Sequence, residues 1–157
     1  MAYKVFLSHS ARDKNLVMAL ARLLEKFGIE LFVADWVLSP GKRLDQKVLG
    51  AIRASDCMVV LLTPNGLRSN WVQQEIGIAL QAGKLVIPIV ERETDDRDLA
   101  ALKGQEFIEY DPLQPERALT KAATFVSSQK LKKDQREARL VAGAIVAFLL
   151  LLWGSKS

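Results

Sequence analysis

The strongest constraint on the fold is an uninterrupted apolar run, CMVVLL at residues 57–62. A strand with one face in water alternates apolar and polar side chains, whereas a strand covered on both faces is apolar throughout. The thiol of Cys57 behaves in such a run as a small hydrophobic side chain. The run therefore predicts a central strand in a sheet that other elements cover on both faces.

Further apolar runs of strand length alternate with stretches in which apolar residues recur at helical spacing. Such alternation is typical of right-handed βαβ units and a parallel sheet. We therefore expect an α/β fold with a flavodoxin-like, doubly wound, five-stranded parallel sheet, followed by a C-terminal hydrophobic helix. In such a sheet, ligands bind outside the carboxyl ends of the strands. The predicted strands are 4–8, 29–33, 57–62, 85–90 and 107–110.

Capping residues mark the ends of the predicted helices. Asp13 precedes the first helix and Gly28 follows it, and Ser69 and Gly83 flank the helix after the third strand in the same way. Pro88 lies inside the fourth apolar run, and a residue without an N–H is expected near a strand end or at a bulge. After the last predicted strand, the chain has a helical pattern that continues towards the tail.

Composition and motifs exclude several kinds of site. The 157-residue chain has one cysteine, Cys57, and one histidine, His9, too few for an intrachain disulfide or a usual zinc site. It has no GxGxxG or GxxxxGKS/T motif and no GxSxG nucleophile elbow. The end of the third strand reads LLT at 61–63, where a phosphoacceptor domain would have an aspartate. We therefore expect neither a metal nor a bound cofactor.

The charge of the chain is modest, with a formal net charge of +4. Much of the positive charge lies in segment 130–139, and no stripe of Lys or Arg interleaved with aromatic residues occurs elsewhere. This pattern argues against a nucleic-acid partner and favours an anionic lipid surface or simple solvation. The N-terminus lacks the long apolar stretch of a signal peptide, so we expect a cytoplasmic domain.

The position of Glu75 makes it the candidate catalytic residue. It lies one turn after Trp71 on the helix that follows the third strand, so the two side chains share a face near the carboxyl edge of the sheet. A carboxylate beside an indole is partly desolvated, which raises its pKa and suits it to act on a developing cation. The alternative is a solvated helix carboxylate, and the spacing alone leaves both interpretations open.

Four segments in a fixed order carry a family resemblance. They are VFLSHS at 5–10 with Asp13, the loop 35–41, IRASD and MVVLL within 52–62, and SNWVQQE at 69–75. Together they resemble the conserved segments of Toll/interleukin-1 receptor (TIR) domains, over about residues 3–110. Of the third conserved segment, Phe-Trp, only a remnant at Phe107 is present.

The resemblance implies either an NAD⁺-consuming enzyme or a non-catalytic adaptor that acts by homotypic TIR–TIR association. In the enzymes of this family the glutamate corresponding to Glu75 is catalytic, which implies an NAD⁺ glycohydrolase or ADP-ribosyl cyclase in immune defence or signalling. Nicotinamide leaves as a neutral amine, so one carboxylate that stabilises the oxocarbenium-like ribose suffices. A nucleoside deoxyribosyltransferase-like enzyme, which shares the sheet and a cleft glutamate, is a third interpretation.

Six further residues are candidates for binding NAD⁺ because of their positions at the carboxyl edge. Each has a plainer alternative: a core side chain, a surface anchor or a solvated loop residue. An aromatic ring at this edge would stack on a flat ring of the substrate, and basic side chains would bind the pyrophosphate. The predicted substrate-binding residues are Phe6, Ser8, Trp36, Lys42, Arg43 and Trp71.

The tail, residues 140–154, has no charged side chain. It is shorter than the roughly 20 residues that span a bilayer, but Arg139 and Lys156 can reach the headgroups and Trp153 suits an interface. We expect a membrane anchor that keeps the TIR domain on the cytoplasmic side.

A self-association helix, in which small residues such as Gly143 and Ala147 make the contact, is the alternative for the tail. Either arrangement would bring TIR domains together as a homo-oligomer. The predicted division of the chain is a TIR domain at 1–128, a basic helical linker at 129–139 and a candidate transmembrane or membrane-anchoring helix at 140–154.

Overall fold

The computed structural model describes residues 2–33 and 46–155. Five parallel strands form one sheet in the order β2-β1-β3-β4-β5. This is the strand order of flavodoxin-like folds, so the predicted five-stranded parallel sheet is confirmed. The strands are β1 (Lys4–Ser8), β2 (Glu30–Val33), β3 (Cys57–Leu62), β4 (Leu85–Glu91) and β5 (Ile108–Tyr110).

Within residues 2–33 and 46–155, five α-helices connect and cover these strands, and two short 3-10 segments, Ala11–Asp13 and Asp96–Leu102, accompany them. The helices are α1 (Lys14–Lys26), α2 (Gln46–Ala54), α3 (Pro64–Leu67), α4 (Asn70–Gln81) and α5 (Pro115–Gly154).

Strand β3 divides the core into two layers because its side chains alternate between the faces of the sheet. Cys57, Val59 and Leu61 pack with residues of α1 and α5. The other three residues of β3 pack with α2 and α4. All six residues of β3 are buried, which confirms the prediction of a central strand covered on both faces.

The predicted helix ends are largely confirmed. Ser69 precedes α4, and its hydroxyl accepts a hydrogen bond from the N–H of Val72 at 3.3 Å. Gly28 and Gly83 follow α1 and α4 with φ of 70° and 68°, the left-handed conformation that glycine adopts without strain.

Asp13 differs from the prediction. It occupies the N-cap position of α1, but its side chain makes no capping hydrogen bond there. Its carboxylate instead accepts a hydrogen bond from the hydroxyl of Thr63 at 2.6 Å. The hydroxyl of Thr63, just after β3, therefore replaces the backbone N–H groups of α1 as the partner of the Asp13 carboxylate. This hydrogen bond links the end of β3 to the start of α1.

The expected position of Pro88 was wrong, since it lies in the middle of β4 and pairs with Val60 of β3. The reason is the short length of β5, which begins opposite Ile89. At Pro88 the other flank of β4 has no strand partner, and an unpaired flank tolerates a residue without an N–H.

Helix α5 runs without a break from Pro115 to Gly154. Its first part is buried against the sheet and α1, whereas the apolar side chains of residues 140–153 are exposed. By length and composition α5 is suited to cross a membrane, and none of its most apolar stretch is buried within the described molecule.

Candidate active site

Alternation along β1 brings two predicted site residues to one face of the sheet. Phe6 and Ser8 are two positions apart, so both side chains point to the layer formed by α2 and α4. The side chain of Phe6 packs in the core with Val72 and Ile76 of α4. Ser8 is the last residue of β1, so its hydroxyl lies in this layer at the carboxyl edge of the sheet.

Glu75 extends from α4 into the same layer. It lies on the buried face of α4, with Val72, Ile76 and Ala79, and its side chain has no exposed surface. The hydroxyl of Ser8 donates a hydrogen bond to Oε2 of Glu75. The alternative interpretation, in which Glu75 is a solvated carboxylate on the helix surface, is therefore wrong.

The second carboxyl oxygen, Oε1 of Glu75, is buried and has no hydrogen-bond partner among the described residues. Within the same residues, no Lys or Arg forms an ion pair with Glu75. A buried polar atom without a partner costs free energy, and such atoms are often found where a ligand binds.

Burial raises the pKa of Glu75 to about 8, and the hydrogen bond from Ser8 lowers it by a smaller amount. The carboxyl group is therefore mostly protonated at neutral pH in the free molecule. A positive charge placed beside it would favour the ionised form, because an opposite charge lowers the pKa of a carboxyl group.

The other predicted site residues fall into two groups. Phe6 is fully buried and its ring stacks on that of Phe32, with centroids 5.3 Å apart. Trp71 is half-buried in the first turn of α4. The remaining three, Trp36, Lys42 and Arg43, lie outside the described residues.

The sequence patterns did not predict a second group of polar side chains at this edge, formed by Asp13, Thr63 and Asn65. The carboxylate of Asp13 accepts hydrogen bonds from Thr63 at 2.6 Å and from the side-chain amide of Asn65 at 3.5 Å. Burial raises the pKa of Glu91 nearby, and the charge of Asp13 adds to this effect. The available signal was that both Asp13 and Thr63 follow strands, β1 and β3, that lie side by side.

No group of three His, Cys, Asp or Glu side chains that is suited to hold a metal ion occurs in the part of the chain that the structure describes. Fold and site together define a flavodoxin-like α/β domain with a buried acid at the carboxyl edge of its sheet.

A family model for the TIR domain matches residues 5–123. The chain belongs to the TIR domain family, as its resemblance to the conserved segments predicts.

Two curated relatives are named as enzymes, one as a synthase of a cyclic ADP-ribose and one as a hydrolase of NAD⁺. The chain is 28% identical over 97 residues to the 2′ cyclic ADP-D-ribose synthase AbTIR of Acinetobacter baumannii, a match that covers 59% of this chain and 36% of that protein. It is 31% identical over 75 residues to the NAD⁺ hydrolase PdTIR of Paracoccus denitrificans, covering 47% of this chain and 25% of the relative. The chain thus matches only about a third or less of these relatives.

Two solved structures show the same fold. The TIR domain of the Toll-related receptor TRR-2 from Hydra magnipapillata has a TM-score of 0.57 at 23% identity, covering 86% of this chain and 99% of that one. The CMP N-glycosidase BcmB of Clostridium botulinum has a TM-score of 0.53 at 25% identity, covering 76% and 97%.

Proposed function

We propose that this chain is a TIR-type NAD⁺ glycohydrolase or ADP-ribosyl cyclase that cleaves the bond between nicotinamide and ribose, in immune defence or signalling. The observation that carries the proposal is the buried Glu75 carboxyl group, held by Ser8 at the carboxyl edge of the sheet. Relatives named as an NAD⁺ hydrolase and a 2′ cyclic ADP-D-ribose synthase support this choice of substrate.

In the proposed reaction, the bond between C1′ of the ribose and the nicotinamide nitrogen breaks. Its electron pair goes to the ring nitrogen, so nicotinamide leaves as a neutral molecule and needs no acid. The ribose becomes oxocarbenium-like, and the carboxylate of Glu75 stabilises that positive charge. Water then adds to C1′ and loses a proton to give ADP-ribose, or a hydroxyl of the same molecule attacks and gives a cyclic product.

The protonation of Glu75 fits this sequence of events. In the free protein the raised pKa keeps the carboxyl group mostly neutral, which avoids a buried charge without a partner. The pyridinium of bound NAD⁺ supplies the missing positive charge and lowers that pKa. Glu75 then releases its proton when substrate binds, and Ser8 holds one carboxylate oxygen in place while the other faces the ribose.

The remaining candidates have supporting roles in the proposal. Trp71 borders the site one turn before Glu75, and Trp36, Lys42 and Arg43 would contribute an aromatic surface and positive charge for the pyrophosphate. The full burial of Phe6 favours a role in supporting the site from the core over direct contact with NAD⁺.

The test compares full-length protein in detergent or vesicles with the variants Glu75→Gln and Ser8→Ala, and measures nicotinamide and both ADP-ribose products by chromatography. We expect Glu75→Gln to reduce turnover by at least about 100-fold, since it removes the charge that stabilises the transition state. A matched control, Glu91→Gln, changes another half-buried acid at the same edge and should retain activity. CMP is included as a substrate because BcmB is named as a CMP N-glycosidase.

Equal turnover by wild type and Glu75→Gln would contradict the catalytic role of Glu75. No turnover in any variant, with self-association intact, would favour the alternative function of a non-catalytic adaptor. Release of cytosine from CMP without turnover of NAD⁺ would move the proposal to nucleotide N-glycoside hydrolysis.

The second part of the proposal concerns the division of the chain and its location. We place a TIR domain at 1–128, a basic helical segment at 129–139 and a membrane-anchoring helix at 140–154, with the TIR domain in the cytoplasm and joined to others in a homo-oligomer. The support is the exposed apolar surface of the end of α5. Full-length protein should enter the detergent phase in a partition experiment, and protein without residues 139–157 should stay in water.

Full-length protein that stays in the aqueous phase would contradict the anchor. If it does so while forming a defined oligomer that the truncated chain does not form, the tail is a self-association helix instead.

A further inference from the structure

The basic segment 129–139 is part of a rigid element and is fixed to the body of the domain. It lies within the continuous helix α5. The ammonium group of Lys133 donates hydrogen bonds to both carboxylate oxygens of Asp56, at 3.0 and 3.1 Å, and to the carbonyl of Ala2 at 3.2 Å. Lys130 donates to the carbonyl of Phe27 at 3.2 Å. The helix therefore has a fixed direction when it leaves the domain.

These contacts lie at the amino-terminal edge of the sheet. Ala2 precedes β1, Asp56 precedes β3, and Phe27 follows α1 shortly before β2. Helix α5 begins after β5, at the carboxyl edge, and so runs down the length of the sheet and leaves the domain at the opposite edge. The candidate active site, with Glu75 and Ser8, lies at the edge from which α5 starts.

The separation between the domain and the apolar segment is short. Leu140, the first residue of segment 140–154, is seven positions after Lys133, which corresponds to roughly 10 Å of helix at ~1.5 Å per residue. This is close to the Debye length of roughly 8–10 Å at physiological salt. Charges at the amino-terminal edge would therefore be felt by a bilayer that holds segment 140–154.

Charged residues are distributed unevenly between the two edges. Segment 129–139 has five basic and two acidic residues, and Lys26 and Arg53 lie in the last turns of α1 and α2 at the same edge. At the carboxyl edge, a hollow of about 500 Å³ is lined by four acids, Glu91, Glu93, Asp95 and Asp98, and by only two arginines. An anionic surface attracts the basic segment 129–139 and repels the four acids of this hollow.

We infer that α5 acts as a rigid strut that holds the amino-terminal edge of the sheet against an anionic lipid surface and directs the carboxyl edge, with Glu75, away from it. This inference rests on the membrane anchoring proposed above. It explains how a tethered domain keeps its site open to a soluble substrate, and it leaves the sides of the sheet free for neighbouring domains in the plane of the membrane.

Two reporter variants, each with one added cysteine, test the orientation in full-length protein. Ala82→Cys places a label after α4, at the amino-terminal edge, and Leu113→Cys places one between β5 and α5, at the carboxyl edge. Both positions are exposed, whereas the native Cys57 is buried and should not react. Each labelled protein is reconstituted into vesicles of phosphatidylcholine with a minority of phosphatidylserine, which carry an energy-transfer acceptor on the headgroups.

We expect energy transfer from the Ala82 label to be several-fold more efficient than from the Leu113 label. A short Gly/Ser insertion after Glu137 keeps the contacts of Lys133 but breaks the strut, and it should bring the two efficiencies close together. Equal transfer without the insertion, or a ratio that the insertion leaves unchanged, would overturn the inference.

Flotation of the protein with the vesicles tests the membrane anchoring separately from the orientation. Protein that does not float with the vesicles would contradict membrane anchoring before any orientation is measured. The nicotinamide assay on the same samples tests the enzymatic proposal independently, because both labelled positions lie outside the proposed catalytic group.

Discussion

The raised pKa of Glu75 results from the burial of its carboxyl group. A helix surface position would leave a glutamate with an ordinary pKa. On the inner face of α4 its carboxyl group has one hydrogen bond, from Ser8, and no cation partner among the described residues. A group in this state resists ionisation until a positively charged ligand arrives.

The first prediction at the scale of the residue concerns the pH dependence of the reaction. In the proposed mechanism the active form of Glu75 is the carboxylate, and burial raises the pKa of this group to about 8 in the free protein. We therefore expect kcat/KM for NAD⁺ to increase with pH and to level off above about pH 8. Ser8→Ala removes the hydrogen bond that lowers this pKa, so its profile should shift to higher pH. A profile that is flat between pH 6 and pH 9 would contradict the assignment.

The second prediction concerns stability. Between pH 4.5 and about 8, Glu75 binds a proton in the folded state that the unfolded state releases, so the free energy of unfolding falls as pH rises. Glu75→Gln cannot ionise, and we expect it to raise the Tm at pH 8 by roughly 5–10 °C, with little effect near pH 4.5. Calorimetry at both pH values measures this; a lower Tm for the variant at pH 8 would count against it.

At the scale of elements, the turn between β3 and α4 determines where Glu75 lies. Thr63 directly follows β3, accepts a hydrogen bond from the N–H of Gly66 at 3.2 Å and donates one to Asp13. Helix α3 is thereby folded back against β3 before α4 begins at Asn70. The path of these few residues aligns the buried face of α4 with the end of β1.

Two glycines give a matched prediction for this region. A Cβ on Gly66 would lie 2.2 Å from the carbonyl oxygen of Leu61, whereas one on Gly77, in α4, meets nothing within 4 Å. Gly66→Ala should cost at least about 2 kcal/mol of stability, since backbone atoms must move. Gly77→Ala should add about 0.5–1 kcal/mol, because alanine favours a helix. Urea denaturation of both variants measures the difference, and equal midpoints would refute the account of the turn.

At the scale of the whole molecule, α5 is buried in the core of the domain at its start and exposed at its end. Its first turns complete the core with Ala118, Leu119 and Ala122, and its last turns expose leucines and Trp153. The segment between them is held by Lys130 and Lys133. These contacts extend the docked part of α5 past residue 128, and the domain boundary at that residue stays a prediction.

This extension predicts different effects for two truncations. Removing residues from 129 onward deletes the contacts of Lys133 with Asp56 and Ala2, so we expect a loss of about 1–2 kcal/mol. Removing residues from 140 onward keeps those contacts and should leave the stability of the domain unchanged. Thermal unfolding of both proteins checks this, and identical Tm values would show that the basic segment does not stabilise the domain.

Local patterns in the sequence determined the elements of this protein. The apolar run of β3, the helical spacing of α1 and α4, and the caps at Ser69, Gly28 and Gly83 depend on neighbouring residues, and the structure confirms them. The alternation of strands and helices then restricts the topology to a few parallel arrangements. For the same reason, the sequence placed Glu75 at the carboxyl edge of the sheet.

Only the tertiary structure decided which side chains meet. Ser8 and Glu75 are 67 residues apart and Asp13 and Thr63 are 50 apart, and no local period relates such pairs. Strand β4 accommodates Pro88 because β5 is too short to pair with it there. Lys133 is held by Asp56 at the amino-terminal edge of the sheet. Such contacts arise when the sheet brings strand ends together, so burial, hydrogen bonding and the raised pKa of Glu75 are properties of the fold.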